Sequence, residues 1–403
     1  MKVASSKSDV LLTYSWVRST YTAVRSFQRL GLHVHVADAS RVGMGQWSRK
    51  AAYAGGYASP LKQPEQFVCD VVRLLERTGA HFLLPGHDET EVLAKYRHLL
   101  PAGVTLPVAD HEKIALANNK ALMIDLAYRL DVPVPKVFEW KEPTDLRQRI
   151  AADSSAWVVK LRRGNSAKGV FYPASAGEVP GVCETLIEKY ALSPERYPVV
   201  QERVSGDGWG VSCLYWQGQR LASFTHRRLR EKTATGGTST LRISERNPVL
   251  EQMAHTLLDS LEWHGLAMVE FKYDAAAKCG WFIEINPRLW GSIHLAVASG
   301  VDFPALLYRT AIEGPQVVQR IVQPQREGIV ARWYLGDLIA SVDLFRRGQL
   351  ANALRAMWPL GGADTLDDVF VDDLGAFAGE VAYYLSTFLR TRNLNPEVEG
   401  MLG

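Results

Sequence analysis

The chain has 403 residues, of which 47% are hydrophobic and 22% are charged, and its formal net charge is +3. This composition is typical of a folded globular protein and excludes fibrous and largely disordered classes. The net charge is small for the length and the Lys and Arg residues form no dense run, so we expect no nucleic-acid partner.

The length predicts two or three packed domains rather than one core. No apolar run approaches the roughly 20 residues that span a bilayer, and the N-terminus lacks the apolar stretch of a signal peptide. We therefore expect a cytoplasmic protein without membrane contact. The four cysteines are scattered without Cys-x-x-Cys spacing, which predicts reduced thiols rather than a zinc site or a disulfide framework.

The first hundred residues alternate between short apolar runs and amphipathic helices. Residues 10–14 (VLLTY) are a predicted strand, a helix follows through Leu30, and Gly31 precedes the strand HVHVAD. The pattern recurs in a helix over 64–78 and the strand HFLLPG, which predicts a small parallel, Rossmann-like sheet covered by helices. The residues after the first strand, TYSWVRST, lack the Gly-x-Gly-x-x-Gly pattern of a dinucleotide oxidoreductase. Arg18 in this segment is a candidate to pair with an anion, and the alternative is an ordinary β-to-α connection.

The pattern changes after an extended connector, DVPVP, at residues 131–135. From residue 157 to about residue 314, strands such as WVVKL, PVVQERV and AMVEFKYD alternate with polar turns, and a helix covers roughly residues 249–263. This middle region is predicted to be α+β. Beyond residue 330 apolar positions recur at helical spacing, so the tail is predicted to be mostly helical and packed on the body, with a membrane surface or a partner as the alternative.

The segment MVEFKYD, AAAKCG, WFIEINPR carries the most informative pattern, because two strands flank a short turn and thus predict a β-hairpin. Adjacent antiparallel strands place Glu270 and Glu284 on one face, with Asn286 two residues further along the second strand. Two carboxylates and an amide oxygen are ligands that Mg²⁺ prefers. The alternative is that the glutamates are solvent-facing residues balanced by nearby cations, but a carboxylate inside FIEIN is costly without a partner.

VEFKYD followed by FIEINPR resembles the metal-binding hairpin of the ATP-grasp superfamily, close to carbamoyl-phosphate synthetase and biotin carboxylase. The resemblance covers roughly residues 10–315. It implies that Glu270, Glu284 and Asn286 bind Mg²⁺, with Mn²⁺ as an alternative metal. It also implies that Arg288 stabilises an acyl phosphate or its transition state, a task that suits an always-charged guanidinium.

The same resemblance implies a set of phosphate-binding residues. Lys160 lies in the strand before the loop RRGNSAKGV, and Lys120 lies at the start of an upstream helix. Within the loop, Ser166 and Gly169 would cover the terminal phosphates, because small residues permit close approach. The alternatives are an ordinary surface hairpin for the loop and a solvated helix residue for Lys120.

The segment PVVQERVSGDG resembles the family strand that binds adenine through its backbone. The resemblance implies that Glu202 and Val204 contact the adenine edge, with Gln201 nearby. Asp207 is the candidate ribose contact, although the commoner family spacing falls on Gly208.

The cationic strand FTHRRLREK is followed by a glycine pair that would lie in a mobile substrate loop. Strand alternation places His226 and Arg228 on one face and Arg227 on the other. The resemblance assigns Arg228 to the transferred phosphate, and an exposed, salt-bridged strand is the alternative.

Together these implications predict an ATP-grasp fold of mixed α/β and α+β character in three parts. These are a parallel-sheet pre-ATP-grasp domain at 1–115, an ATP-grasp domain of two α+β lobes at 116–320, and a helical C-terminal extension at 321–403.

The implied reaction joins a carboxylate to an amine through an acyl phosphate and releases ADP and phosphate, with ATP and Mg²⁺ bound between the lobes. The partners would be small-molecule or carrier-borne carboxylates and amines, and a homodimer is compatible with the sequence. The alternatives are a bicarbonate- or carbamate-activating enzyme and an ATP-binding regulator without catalysis.

Overall fold

The computed structural model describes residues 9–150, 155–164, 169–233, 236–346, 348–358 and 361–392. Its first part contains the predicted parallel sheet. In chain order the elements are β1 (Asp9–Leu12), α1 (Arg18–Arg29), β2 (His33–Asp38), α2 (Met44–Trp47), β3 (Ala52–Gly56), α3 (Pro64–Thr78), β4 (Phe82–Leu84), α4 (Glu89–Lys95), α5 (His111–Ala117) and α6 (Lys120–Arg129). The strands pair in parallel in the order β3-β2-β1-β4. Val10, Leu11 and Leu12 are fully buried, as expected for a parallel strand covered on both faces.

A small antiparallel sheet follows. Its elements are β5 (Val137–Phe138), α7 (Pro143–Ile150), β6 (Trp157–Lys160), β7 (Val170–Phe171), α8 (Val179–Tyr190) and β8 (Val199–Glu202). The strand order is β5-β8-β6-β7. Trp157, Leu186 and Val200 belong to the separate hydrophobic core of this lobe.

A larger sheet occupies the rest of the chain. Its first elements are β9 (Asp207–Trp216), β10 (Gln219–Thr233), β11 (Gly236–Ser244), α9 (Pro248–Ser260), β12 (Gly265–Asp274), β13 (Cys279–Asn286), α10 (Ile293–Ala298), α11 (Phe303–Glu313) and α12 (Pro315–Ile321). The remaining elements are β14 (Val330–Arg332), α13 (Tyr334–Arg346), α14 (Leu350–Met357), β15 (Thr365–Leu366) and α15 (Leu374–Thr391). The strand order is β13-β12-β9-β10-β11-β14-β15.

The C-terminal extension differs from its prediction in one respect. It is mostly helical, as expected, but β14 pairs with β11 and β15 pairs with β14. The extension therefore lengthens the large sheet instead of only packing helices on it.

Close backbone packing also holds the extension against the first domain. A Cβ atom built on Gly379 of α15 would lie 2.1 Å from the backbone oxygen of Gly43, and one built on Gly375 would lie 2.4 Å from the backbone oxygen of Trp47. These positions are one helical turn apart and so share a face of α15. Only glycine lets α15 approach α2 this closely.

We expect Gly379→Leu to lower the free energy of unfolding by about 1–3 kcal/mol, because the added side chain forces α15 away from α2. Urea denaturation measures this change. The control is Gly181→Ala on α8, where a Cβ meets nothing within 4 Å. Its effect should stay within about 1 kcal/mol, and equal unfolding free energies for the two variants would contradict the packing of α15 on α2.

Candidate active site

Strands β12 and β13 form the predicted hairpin, and two carboxylates face each other across it. Glu270 pairs directly with Glu284 in the antiparallel register, with a bulge after Glu270. Cross-strand partners share one face of a sheet, so both side chains point to the same side. Asn286 donates a hydrogen bond from Nδ2 to Oε1 of Glu270 over 3.0 Å. The structure thus brings the three predicted metal ligands together.

Two cations compensate the charge of this carboxylate pair. Arg228 Nη2 lies 2.6 Å from Glu270 Oε2, and Lys120 Nζ lies 3.1 Å from Glu284 Oε2. Burial raises the pKa of Glu270 above its usual value, although Arg228 opposes this shift. Burial also acts to raise the pKa of Glu284, but Lys120 and Lys160 hold it below its usual value. Each carboxylate therefore depends on its own cation to stay charged beside the other.

The two predicted lysines approach Glu284 from different elements. Lys120 lies at the start of α6, and its Nζ also donates to the backbone oxygen of Gly164 over 2.7 Å. Lys160 ends β6 and donates from Nζ to Oε1 of Gln201 over 2.8 Å. Burial lowers the pKa of Lys160 to about 8. An anion entering between these ammonium groups would stabilise their charged forms.

Arg288 is held by an acidic residue of the first domain. Its Nε lies 3.0 Å from Oδ1 of Asp88, just before α4. Burial acts to raise the pKa of Asp88, but His87 and Arg288 hold it well below its usual value. The His87 ring stacks on Tyr14 with 4.6 Å between ring centres. The first domain thus fixes a guanidinium beside the hairpin.

A cavity of about 1140 Å³ joins most of these groups. Part of its wall comes from the small sheet and part from the large sheet. The sequence-predicted residues that line it are Arg18, Lys120, Lys160, Glu202, Val204, Arg228, Glu270, Glu284, Asn286 and Arg288.

The remaining predicted residues lie outside this lining. Gln201 is buried behind Lys160, and Asp207 is exposed and pairs with Arg227 over 3.3 Å. Gly169 has a positive φ of 71° and accepts a hydrogen bond from the Leu161 amide. Ser166 lies outside the described residues. The ribose and phosphate-loop assignments therefore gain no geometric support.

Other residues of the site escaped the sequence analysis. Asp88, which pairs with Arg288, follows β4, and the carboxyl end of a parallel strand is where ligand-contacting residues are expected. Trp333 and Tyr384 line the cavity from the C-terminal extension, where no motif marked them. Their position follows only from the way β14 and α15 return to the first domain.

The donor set fits a magnesium ion only with help from other ligands. Among the described residues, no group of three or more His, Cys, Asp or Glu side chains comes together as a metal site. Two carboxylates and one amide still match a metal that usually keeps waters and nucleotide phosphates in its shell. Within the described part of the chain, no helix is long and apolar enough to cross a membrane.

Comparison with solved structures identifies the fold. The chain is similar to the biotin carboxylase domain of Hydrogenobacter thermophilus 2-oxoglutarate carboxylase, solved with MgADP, ADP and bicarbonate, at 14% identity and a TM-score of 0.60 over 75% of this chain and 69% of that one. The chain has the ATP-grasp fold. This confirms the fold class predicted from the hairpin motif.

Two further solved structures with a similar fold are named as enzymes of different reactions. N5-carboxyaminoimidazole synthase from Aspergillus clavatus, in complex with ADP and 5-aminoimidazole ribonucleotide, is 16% identical, with a TM-score of 0.58 over 79% of this chain and 78% of that one. L-amino acid ligase from Bacillus licheniformis is 17% identical, with a TM-score of 0.55 over 76% of this chain and 74% of that one. At these identities the likeness establishes the fold alone.

Sequence comparison gives a narrower match. Residues 195–335 match a family model described as "ATP-grasp in the biosynthetic pathway with Ter operon". No curated protein sequence matches the chain significantly. The matched segment contains Arg228 and the whole β12–β13 hairpin.

We expect Asp88→Asn to lower the free energy of unfolding by about 1–3 kcal/mol at neutral pH, because the enclosed Arg288 loses its charged partner. The folded-state pKa of Asp88 is depressed, so its contribution is complete above the unfolded pKa of about 4 and is lost as the pH falls below it. Urea denaturation as a function of pH should show the gap between wild type and variant closing in acid.

Asp145→Asn is the control, because Asp145 pairs with Arg149 at an exposed site on α7. It should change stability little at any pH. A gap for Asp88→Asn that stays constant down to acidic pH would contradict the assigned ion pair.

Proposed function

We propose that this chain is an ATP-dependent ligase that activates a carboxylate as an acyl phosphate and transfers the acyl group to an amine. The products are an amide, ADP and phosphate. One observation carries the proposal: a single cavity contains the carboxylate hairpin Glu270/Glu284 together with Lys120, Lys160, Arg228 and Arg288.

The lysines are suited to bind the phosphates of ATP. Both Nζ atoms are enclosed, and each has only a few protein oxygens as partners. An enclosed ammonium attracts an anion more strongly than an exposed one, because solvent screens it less. Lys120 and Lys160 would therefore orient the phosphate chain along the hairpin.

Glu270, Glu284 and Asn286 would hold Mg²⁺ when the nucleotide is bound. The metal would neutralise charge on the phosphate oxygens during transfer. Arg228 and Lys120 compensate the two carboxylates in the structure described here. Both cations would then be available to the transferred phosphate.

The arginines would stabilise the charge that develops as the phosphoryl group moves. Arg288 uses Nε for Asp88 and Nη1 for the Leu289 oxygen, and its side chain still lines the cavity. A guanidinium fixed before the reaction needs no reorganisation during it.

The edge of the small sheet is suited to the adenine ring. Val204 follows β8 and lines the cavity, and its N–H forms no hydrogen bond with the described residues. The N–H of Glu202 is already bonded to the Lys136 oxygen at 2.8 Å. We therefore assign the donor for adenine to Val204.

The experiment that tests this function incubates the protein with Mg-ATP and pooled carboxylates and amines, with bicarbonate as a separate arm. ADP, phosphate and a product mass equal to the two substrates minus water would support the ligase. Release of AMP and pyrophosphate would overturn the acyl-phosphate route. Turnover only with bicarbonate would favour the carboxylating alternative, and ATP binding without turnover in any arm would favour the regulator.

We expect Arg288→Ala to lower kcat by about 100- to 1000-fold, because Arg288 acts mainly on charge that develops in the transition state. The KM for ATP should change little. Steady-state kinetics with the substrates found above measure both constants.

The control is Arg129→Ala, which removes an exposed arginine on α6 and should leave both constants unchanged. An unchanged kcat together with a raised KM for ATP would show that Arg288 binds the nucleotide without stabilising the transition state.

A further inference from the structure

The cavity continues beyond the groups assigned to ATP. We call this region the distal end and define it by Arg18, Lys232, Gly291, Trp333 and Tyr384, all of which line the cavity. The total volume of about 1140 Å³ is larger than the roughly 300–1,000 Å³ of a typical small-molecule site. It leaves room for a second molecule beside the nucleotide.

Arg18 is an enclosed cation whose guanidinium donates no hydrogen bond to the described residues. Its exposed fraction is 4%, and its Nε lies 3.5 Å from Asp367 Oδ2. The guanidinium lies 4.0 Å from the centre of the Trp333 ring. Among the described residues, its two Nη atoms have no hydrogen-bond acceptor. An enclosed guanidinium normally uses these donors for a carboxylate or phosphate.

The tip of Arg18 lies close to the proposed reaction centre. A Cβ atom built on Gly291 would lie 2.7 Å from Arg18 Nη2, and Gly291 follows Arg288 by three residues. A ligand bound to Arg18 therefore lies near the segment that carries the transition-state arginine.

The acidic residues behind Arg18 are shared among several cations, and burial raises the pKa of another of these acids, Asp368, to about 6. Asp367 is shared by Arg18 and Arg242, and Asp337 is shared by Arg230 and Arg332.

A further acid in this region is biased toward its neutral form. Burial raises the pKa of Glu380 well above its usual value. Lys232 adds a cation, with Nζ 5.8 Å from the centre of the Trp333 ring and 5.6 Å from that of Tyr384. The distal end is therefore electropositive.

Neighbouring side chains hold the aromatic residues at and beside the distal end. Trp333 donates from Nε1 to Oε1 of Glu380 over 3.1 Å, and Trp16 stacks on Tyr383 with ring centres 4.0 Å apart. Fixed aromatic side chains beside a guanidinium suit a ligand with an apolar or planar body and an anionic group.

We propose that the distal end binds an anion with a planar body, with the anionic group on Arg18 and the body against Trp333 and Tyr384. In calling this anion a substrate of the ligase, the inference rests on the proposed function. The C-terminal extension then determines substrate specificity, because it supplies both aromatic residues.

Ligand-observed NMR titrations with benzoate, phenyl phosphate and benzylamine test this site directly, without turnover. Benzoate or phenyl phosphate should bind saturably, and benzylamine should not. Arg18→Gln should weaken anion binding roughly tenfold or more, as expected for the loss of a charged hydrogen-bond donor. The anion that binds more tightly, benzoate or phenyl phosphate, indicates whether the site prefers a carboxylate or a phosphate group.

The matched control is Arg25→Gln on the same helix, because Arg25 pairs with Asp372 over 2.9 Å outside the cavity lining. It should bind the anions like wild type. Arg18→Gln leaves Asp367 with one cation fewer, so Arg18→Lys and Gly291→Ala provide second variants if it fails to fold. Each should also weaken anion binding, because Arg18→Lys removes the planar guanidinium and Gly291→Ala displaces it.

Anion binding that is unchanged in the folded Arg18 or Gly291 variants, or equal binding of benzylamine, would overturn the proposal. Binding of Mg-ATP, measured in the same samples, decides the proposed function separately. Mg-ATP binding without anion binding overturns only the distal site. Anion binding that depends on Arg18 without Mg-ATP binding supports the distal site and overturns the ligase.

Discussion

The repulsion between two enclosed carboxylates is the constraint on which the site depends. Glu270 and Glu284 are direct partners across the hairpin, and only 16% and 20% of their side chains are exposed to solvent. Two like charges at this separation are tolerated only with cations nearby. Lys120 comes from α6 and Arg228 comes from β10, so the compensating cations fix how the elements around the hairpin are placed.

The first domain and the extension contribute to the same site through long-range pairs. Asp88 holds Arg288 across 200 residues of sequence. Trp333 of the extension packs with Trp16 of the first domain in one hydrophobic cluster. The cavity therefore needs all three parts of the chain, although the motifs of ATP chemistry lie in the middle part alone.

Local patterns predicted the parts of the site that depend on short sequence separation. The hairpin was predictable because a turn joins two alternating strands, but the direct pairing of Glu270 with Glu284 also depends on the bulge after Glu270. Lys160 was predictable because it ends a strand. Its contact with Gln201 was not, because that contact depends on the pairing of β6 with β8. Asp207 was a candidate by spacing, yet the strand turns its side chain toward Arg227. The place of Trp333 in the cavity could not be predicted, because its contacts depend on how the extension packs against the first domain.

We infer that the hairpin carboxylates bind a metal that accompanies ATP, and calorimetric titration of ATP with and without Mg²⁺ measures this coupling. Mg²⁺ should strengthen ATP binding to the wild type, and Glu284→Gln should lose most of this gain while the exposed control Glu188→Gln keeps it. An equal gain in wild type and Glu284→Gln would mean that the metal binds ATP without the hairpin, and it would rule out the hairpin as the metal site.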